Sequence, residues 1–218
     1  MWCVPVLDSE YKARMHDLLD LYEKPLDRRF PVVCLDEKSV ELHGEKHAPI
    51  HRGAVTLRDH EYIRRGTANI FMLTEPKGGR HYVRVTKRRT HKEFANCLKW
   101  LSARYPDAEK IHLVMDNLNT HGENSLIRTF GFAFGHRLWN RFTVHYTPKH
   151  ASWLNQAEIA ISVMSRCCLG RNRIPSMEQL RELTLAFWRQ RRRQGWKIDW
   201  RFTTARAKQW TRTFETRH

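Results

Sequence analysis

The period of hydrophobic and polar positions changes from segment to segment along this chain, and each change marks an element. In "DSEYKARMHDLLDLYEKPLD" apolar residues recur at helical intervals behind a capping residue, Asp8 or Ser9, and a proline closes the run, so an opening helix is predicted. "FPVVCLDEKSVEL" holds a short apolar run ending in Asp36, the pattern of a buried strand whose terminal residue is charged. Residues 43–66, "HGEKHAPIHRGAVTLRDHEYIRRG", are polar and basic without a clear period, and a long excursion from the body is expected there. "TANIFMLTEP" and "GGRHYVRVTKRR" read as strands joined by a hairpin at Gly78-Gly79. The helix "THKEFANCLKWLSARYP" follows, then the strands "KIHLVMDNLNTH" and "RFTVHYTP" with a helical stretch between them. "TPKHASWLNQAEIAISVMSR" begins as a loop and becomes an amphipathic helix, and a last helix at 176–194 precedes the C-terminal segment. Three strands, helix, strand, helix, strand, helix, helix is a mixed α/β order with its first strands in meander.

Two of these strands end in aspartate. Alternation puts Asp36 on the face of Cys34 and Val32, and Asp116 on the face of Val114 and His112. Ligands of open α/β sheets collect just beyond the carboxyl ends of strands, so neighbouring strands would present both acids together. A third acid, Glu158, shares a helical face with Leu154, Ile161 and Ser165, an apolar stripe where a carboxylate is costly without a positive or hydrogen-bonding partner. The partner is either one of the many arginines or a metal ion. Two strand-end aspartates and one helix-borne glutamate form a hard-oxygen set that suits two Mg2+ or Mn2+ ions, and paired ions of this kind support in-line displacement at phosphorus.

Composition sharpens that reading. The chain has 218 residues, 41% of them hydrophobic, enough for one folded domain with a sizeable core. No apolar run reaches the length of a membrane span and no signal peptide opens the chain, which makes a cytoplasmic, nucleoid-associated protein the expectation. Five cysteines without a C-x-x-C pair indicate reduced thiols, and adjacent Cys167 and Cys168 lack the spacing to join His145 and His150 in a zinc finger. Lysine and arginine number 39 against 23 acids, a formal charge of +16, and such an excess implies a polyanionic partner. The run "RQRRRQ", with Arg191, Arg192 and Arg193, suits phosphate contact. Beyond it Trp196, Trp200, Phe202, Trp210 and Phe214 interleave with basic residues, either to stack on bases or to pack back onto the domain. The basic 43–66 excursion could lie against DNA for the same reason.

The blocks "VVCLDEKSV", "GTANIFMLTEP", "RVTKRRT", "VMDNLNTHG" and "YTPKHASWLNQAEIAISVMSR" resemble the catalytic domain of bacterial insertion-sequence transposases of the DDE superfamily, the branch allied to mariner elements. "DNLNTH" and "TPKHASWLNxxE" are the specific blocks; "LDE" alone is weak. The resemblance implies an RNase H-like mixed sheet flanked by helices, with a basic C-terminal helix and tail. It implies Asp36, Asp116 and Glu158 as the triad binding two magnesium ions, cleavage at transposon ends, and joining of the freed 3′-hydroxyl to target DNA in a dimeric or higher synaptic assembly. Asn117, Asn119 and His121 would support the loop around Asp116. Thr147, Pro148, Lys149, His150, Ser152, Trp153 and Asn155 would shape the floor before Glu158, with Lys149 and His150 on phosphate and Asn155 orienting a ligand or water.

The expected division is a helical lead-in at 1–30, the catalytic domain at 31–195 and a basic aromatic tail at 196–218. This sequence departs from the family at Ala160, where members usually carry a second glutamate, and it opens at about the catalytic domain, without the helix-turn-helix region that reads the terminal repeats. A fragment, a frame joined by frameshifting or a decayed copy would each begin so. A hydrolytic nuclease that never joins strands and a non-catalytic regulatory DNA-binding fragment are the alternatives.

Overall fold

The computed structural model describes residues 7–215 apart from 49, 54, 58 and 171, so Cys3 lies outside the described residues. A five-stranded sheet in the order β5-β4-β1-β6-β7 forms its centre, built from β1 (Val32–Glu45), β4 (Tyr62–Glu75), β5 (Arg80–Thr86), β6 (Ile111–Met115) and β7 (Phe142–Tyr146). β1 and β4 pair antiparallel, as do β4 and β5, whereas β1-β6 and β6-β7 are parallel. A separate two-stranded ribbon, β2 (Ile50–Arg52) with β3 (Val55–Leu57), lies between β1 and β4 in sequence.

Helices cover both faces. On one, α2 (His91–Ser102), α3 (Glu123–Phe130) and α4 (Phe132–Trp139) close a core around Val33, Leu35, Phe71, Leu73, Phe94, Leu98 and Leu113. Thr90 starts α2 with a capping box, its hydroxyl accepting from the first turn while Glu93 reaches back to the Thr90 N–H. On the other, α5 (Ala157–Met164), which continues as a wider π turn through Leu169, and α6 (Met177–Arg193) cover Ile70, Met72, Val83 and Val85. α1 (Ser9–Glu23) covers Cys34 and Val114 beside them. Asp8 caps α1 by accepting the Tyr11 N–H at 2.7 Å, as its position ahead of the periodic run predicts.

Three expectations change. β1 does not end at Asp36. It runs nine residues further in register with β4, because β4 offers a ladder partner to Asp36 and beyond after β6 has run out at Cys34↔Val114. Most of the 43–66 excursion is therefore strand, the outer ends of β1 and β4, and β2-β3 tips it; polar side chains suit strands whose two faces meet water. The single helical stretch between β6 and β7 is two helices broken at Gly131, whose φ of 83° lies in the left-handed region. The segment beyond residue 195 folds back: α7 (Thr204–Glu215) follows it, and Trp200, Phe202 and Trp210 pack against the α1 core. Of the two roles open to those aromatics, packing is the one observed. Trp196 likewise lies against the β5 side, over His81 and Trp188.

Candidate active site

The acids converge through the parallel register. Val114 pairs with Cys34, and two residues further along both neighbouring strands stand Asp36 and Asp116. Asp36 shares the face of Cys34, on the side covered by α1 and α5, and Glu158 sits in the first turn of α5. Burial, with the charges of Glu158 and then Asp116, pushes the Asp36 carboxyl up to about 7, even though its Oδ1 accepts the Glu37 N–H at 2.7 Å. Like charges thus meet in a half-buried place. They do not close fully: among the described residues the set of ligand atoms that all lie within 4.8 Å of one another is His47, Asp59 and Glu61, on and beside the β2-β3 extension. Three carboxylates on three elements, close enough to act on one another's charge but not all within 4.8 Å, are the arrangement at the strand ends.

Each acid is held by its surroundings. Asn155, 2% exposed, donates from Nδ2 to the Leu35 carbonyl at 2.7 Å, and its Oδ1 accepts the Ala157 N–H at 3.1 Å. It therefore ties the entry of α5 to the strand that carries Asp36, a backbone role rather than the orientation of a ligand. Asp116 lies one residue past β6, its Oδ1 2.5 Å from Nδ1 of His121. The other ring nitrogen, Nε2, lies 3.1 Å from Oε1 of Glu37, and the ring stacks on Phe94. Burial alone would depress the His121 pKa; the bonds to Asp116 and Glu37 outweigh it and raise the imidazole to about 9. Glu37 was not among the residues expected from sequence. Its signal was there, since alternation puts it with Val33 and Leu35 on a buried face.

A groove of about 790 Å³ opens beside Asp116, lined among others by Asn117, Thr147, Pro148, Lys149, His150 and Ser152, with Tyr11 and Arg14 of α1 as the facing wall. His150 holds a φ of 61°, a left-handed conformation uncommon outside glycine, so the exposed Lys149-His150 corner is a tight one. Asn119 is exposed on the turn and does not line this groove. Trp153 is 42% exposed and meets Phe202 edge-on at 5.2 Å, a surface contact with the C-terminal segment. Arg191, Arg192 and Arg193 form the last turn of α6, where a helix end favours cations, on the β5 edge two strands away from β1. They are not brought into the groove. The histidine and cysteines of the discarded zinc set are also apart in their bonding: His145 pairs with His112 and Asp17, whereas Cys168 donates towards the Leu183 carbonyl.

A mixed sheet in this strand order, with acids where β1 and β6 part, is the RNase H-like class. The family model for DDE superfamily endonucleases matches residues 31–181, and the chain belongs to that family. No curated protein sequence matches it. Its fold is similar to that in "Crystal structure of the Mos1 Strand Transfer Complex", with a TM-score of 0.59 and 14% identity over 87% of this chain and 57% of that one. It is similar also to "Crystal structure of the Mos1 mariner paired end complex with Mn" (TM-score 0.58, 14% identity, 87% of this chain and 58% of that one). "Crystal structure of a pre-cleavage Mos1 transpososome" gives the same four values. The chain thus spans less than two thirds of the length of these proteins, and the likeness is one of fold.

Proposed function

We propose that this chain carries the catalytic domain of a DDE transposase, cutting DNA at transposon ends and joining the freed strands to target DNA. The observation that carries the reading is Asp36: its carboxyl is raised to about 7 by burial and by Glu158 and Asp116, and Asp116 in turn lines a groove with a basic corner, which neither Asp36 nor Glu158 lines. Family membership supports it, and so does a fold shared with Mos1 complexes whose names record paired ends, strand transfer, Mn and Mg.

The donor set fits hard divalent cations, since all three groups are carboxylates and a nearby cation removes the repulsion that raises Asp36. Asp36, Asp116 and Glu158 would hold two Mg2+ or Mn2+ ions, which when bound supply charge stabilisation to the attacking and departing oxygens at phosphorus. Around them, Asn155 fixes where Glu158 enters, and His121 holds Asp116. Lys149 and His150 at the groove contact phosphate, with Asn117 beside them and Asn119 on the outer turn. The α6 arginines bind DNA at a distance from the chemistry. Two copies on paired DNA ends, with an upstream helix-turn-helix region reading the terminal repeats, complete the assembly that this reading implies.

The test is a plasmid-nicking and strand-joining assay with Mg2+ or Mn2+ on end-containing duplexes. Nicked and joined products are expected, and Asp36→Asn should lower both by ~10³-fold or more, the loss expected when a group central to charge stabilisation is removed. Nicking without joined products would make the chain a hydrolytic nuclease instead. Undiminished nicking by Asp36→Asn would remove the acid site altogether. For binding, log K should fall with log salt by about 0.9 per phosphate contact, and alanine at Arg191, Arg192 and Arg193 should flatten that slope without changing preference between sequences. A salt titration on end and scrambled duplexes reads both.

A further inference from the structure

Neighbouring residues of β1, Asp36 and Glu37, point to opposite faces of the sheet, and only the first belongs to the acid site described above. The second is an expensive residue. Its side chain is 7% exposed, and a buried carboxylate destabilises a fold unless its charge is met. What meets it is the His121 ring at 3.1 Å, with Arg89 further off at 3.9 Å. The His121 side chain is 3% exposed, is stacked 4.7 Å from Phe94, and has its own backbone bonded to Leu118 and Tyr146. Both ring nitrogens face carboxylate oxygens, so both bonds require N–H donors on one imidazole.

At the far end of this line is Asp116. It has left the β6 ladder, its side chain is 42% exposed, and nothing in a strand end fixes the rotation of such a group. The Nδ1–H of His121 at 2.5 Å does so by holding Oδ1. We infer that Glu37 is a positioning residue of the active site: through His121, buried on the α2 face, it fixes the Asp116 carboxylate that the opposite face uses. The sheet thus passes a constraint from one face to the other through its open end, around β6. This rests on the reading of Asp116 as a metal ligand. Carboxylate–histidine partners of this kind orient ligands, and their loss typically weakens metal binding ~10- to 100-fold.

The experiment measures Mn2+ binding to the 218-residue chain by calorimetry, with folding followed by circular dichroism. Glu37→Gln should keep a cooperative melt and bind Mn2+ ~10-fold or more weakly. Glu37→Met, which removes the buried charge with an apolar side chain of similar length, carries the same expectation should the glutamine variant not fold. His121→Phe keeps the ring on Phe94 and should lose at least as much affinity. The double variant Glu37→Gln with His121→Phe should be no weaker than His121→Phe alone, because Glu37 acts only through the ring. A purely structural Glu37 predicts additive losses instead, and additivity overturns the inference, as does wild-type affinity in Glu37→Gln. Asp116→Asn separates the two failures. If it also binds Mn2+ normally, the metal-site reading fails; if it loses binding while the Glu37 variants keep it, the positioning role alone fails.

Discussion

β1 and β4 form one ladder with two different ends. In the inner half, β4 is buried continuously from Ala68 to Glu75 and is covered on both faces by helices. In the outer half, Tyr62 to Thr67 are exposed, a register shift between Glu41 and His43 bends the pair, and the β2-β3 ribbon carries Ile50 and Leu57 at 59% and 46% exposure. The acids stand at the boundary. Asp36 is opposite Met72, where the helices still exclude water, and four residues later Val40 is opposite Ala68 at the edge of cover. The inner half gets its order from burial, which is cooperative and makes any buried polar group left unpaired costly. The outer half gets it from a few named bonds: Arg173 donates to the Glu45 carboxylate at 2.5 Å, to the Glu61 carbonyl at 2.9 Å and to the Asp59 carbonyl, and its guanidinium lies 5.9 Å from the Tyr62 ring.

Breaking the inner half should have the largest effect. Asn155→Ala removes two buried hydrogen bonds and strands the Leu35 carbonyl and the Ala157 N–H, each costing ~1–3 kcal/mol when unpaired. Stability in urea should fall by several kcal/mol, and cleavage should fall further than the folded fraction explains, since the entry of the Glu158 helix is freed. A loss of stability with normal activity per folded molecule would remove Asn155 from the site.

A smaller effect is expected from acid. His81 on β5 lies between Trp188 at 4.5 Å and Trp196 at 4.8 Å, and its buried Nε2 has no hydrogen-bond partner among the described residues. Burial lowers its pKa from 6.5 to about 4, so the folded state keeps the ring neutral. Between these values the unfolded chain binds the proton and the folded chain does not. The His81 contribution should therefore be zero above pH 7, become unfavourable as pH falls through 6.5, and level off below about 4, a total on the order of 3 kcal/mol. Asp36, raised to about 7, and His121, raised to about 9, gain stability as pH falls and act in the opposite sense. Urea melts of the wild type and of His81→Leu, followed by tryptophan fluorescence at pH 7, 5.5 and 4.5, would measure the His81 contribution as the difference between the two profiles, and a difference that stays constant with pH would remove His81 from this role.

The smallest global effect is expected in the outer half. Arg173→Ala should change overall stability by no more than ~1 kcal/mol, while amide exchange over residues 45–62 accelerates and that over β6 does not. Equal acceleration in both regions would mean that the two halves unfold as one unit, and the contrast drawn between them would fall.

Much of this was written in local pattern. Asp8 as a cap, the hairpin at Gly78-Gly79, the helix behind Thr90 and the strands around Cys34 and Val114 follow from side-chain period and turn chemistry, which act over a few residues. The same alternation put Asp36 and Asp116 on their faces correctly. Where pattern depends on burial by distant elements, it misled. The outermost part of β1, residues 43–45, carries no apolar side chain and so resembled a loop; only pairing with β4, whose residues come about twenty positions later, makes it a strand. Glu37 was legible as a residue on the face of Leu35, but no rule of spacing joins it to His121, 84 residues away.

The sequence by itself determined the types and order of most of the elements, and the placing of two acids at strand ends and one on a helix, because a strand end and a helix face are properties of neighbouring residues. Tertiary structure decided the rest. The parallel pairing of β1 with β6 made two separate strand ends into one place, folding back of the C-terminal aromatics onto α1 turned a candidate base-stacking tail into packing, and the α6 arginines went to the β5 edge. In each case the outcome depends on which surfaces remain to be covered once the sheet has formed, a quantity no stretch of sequence contains.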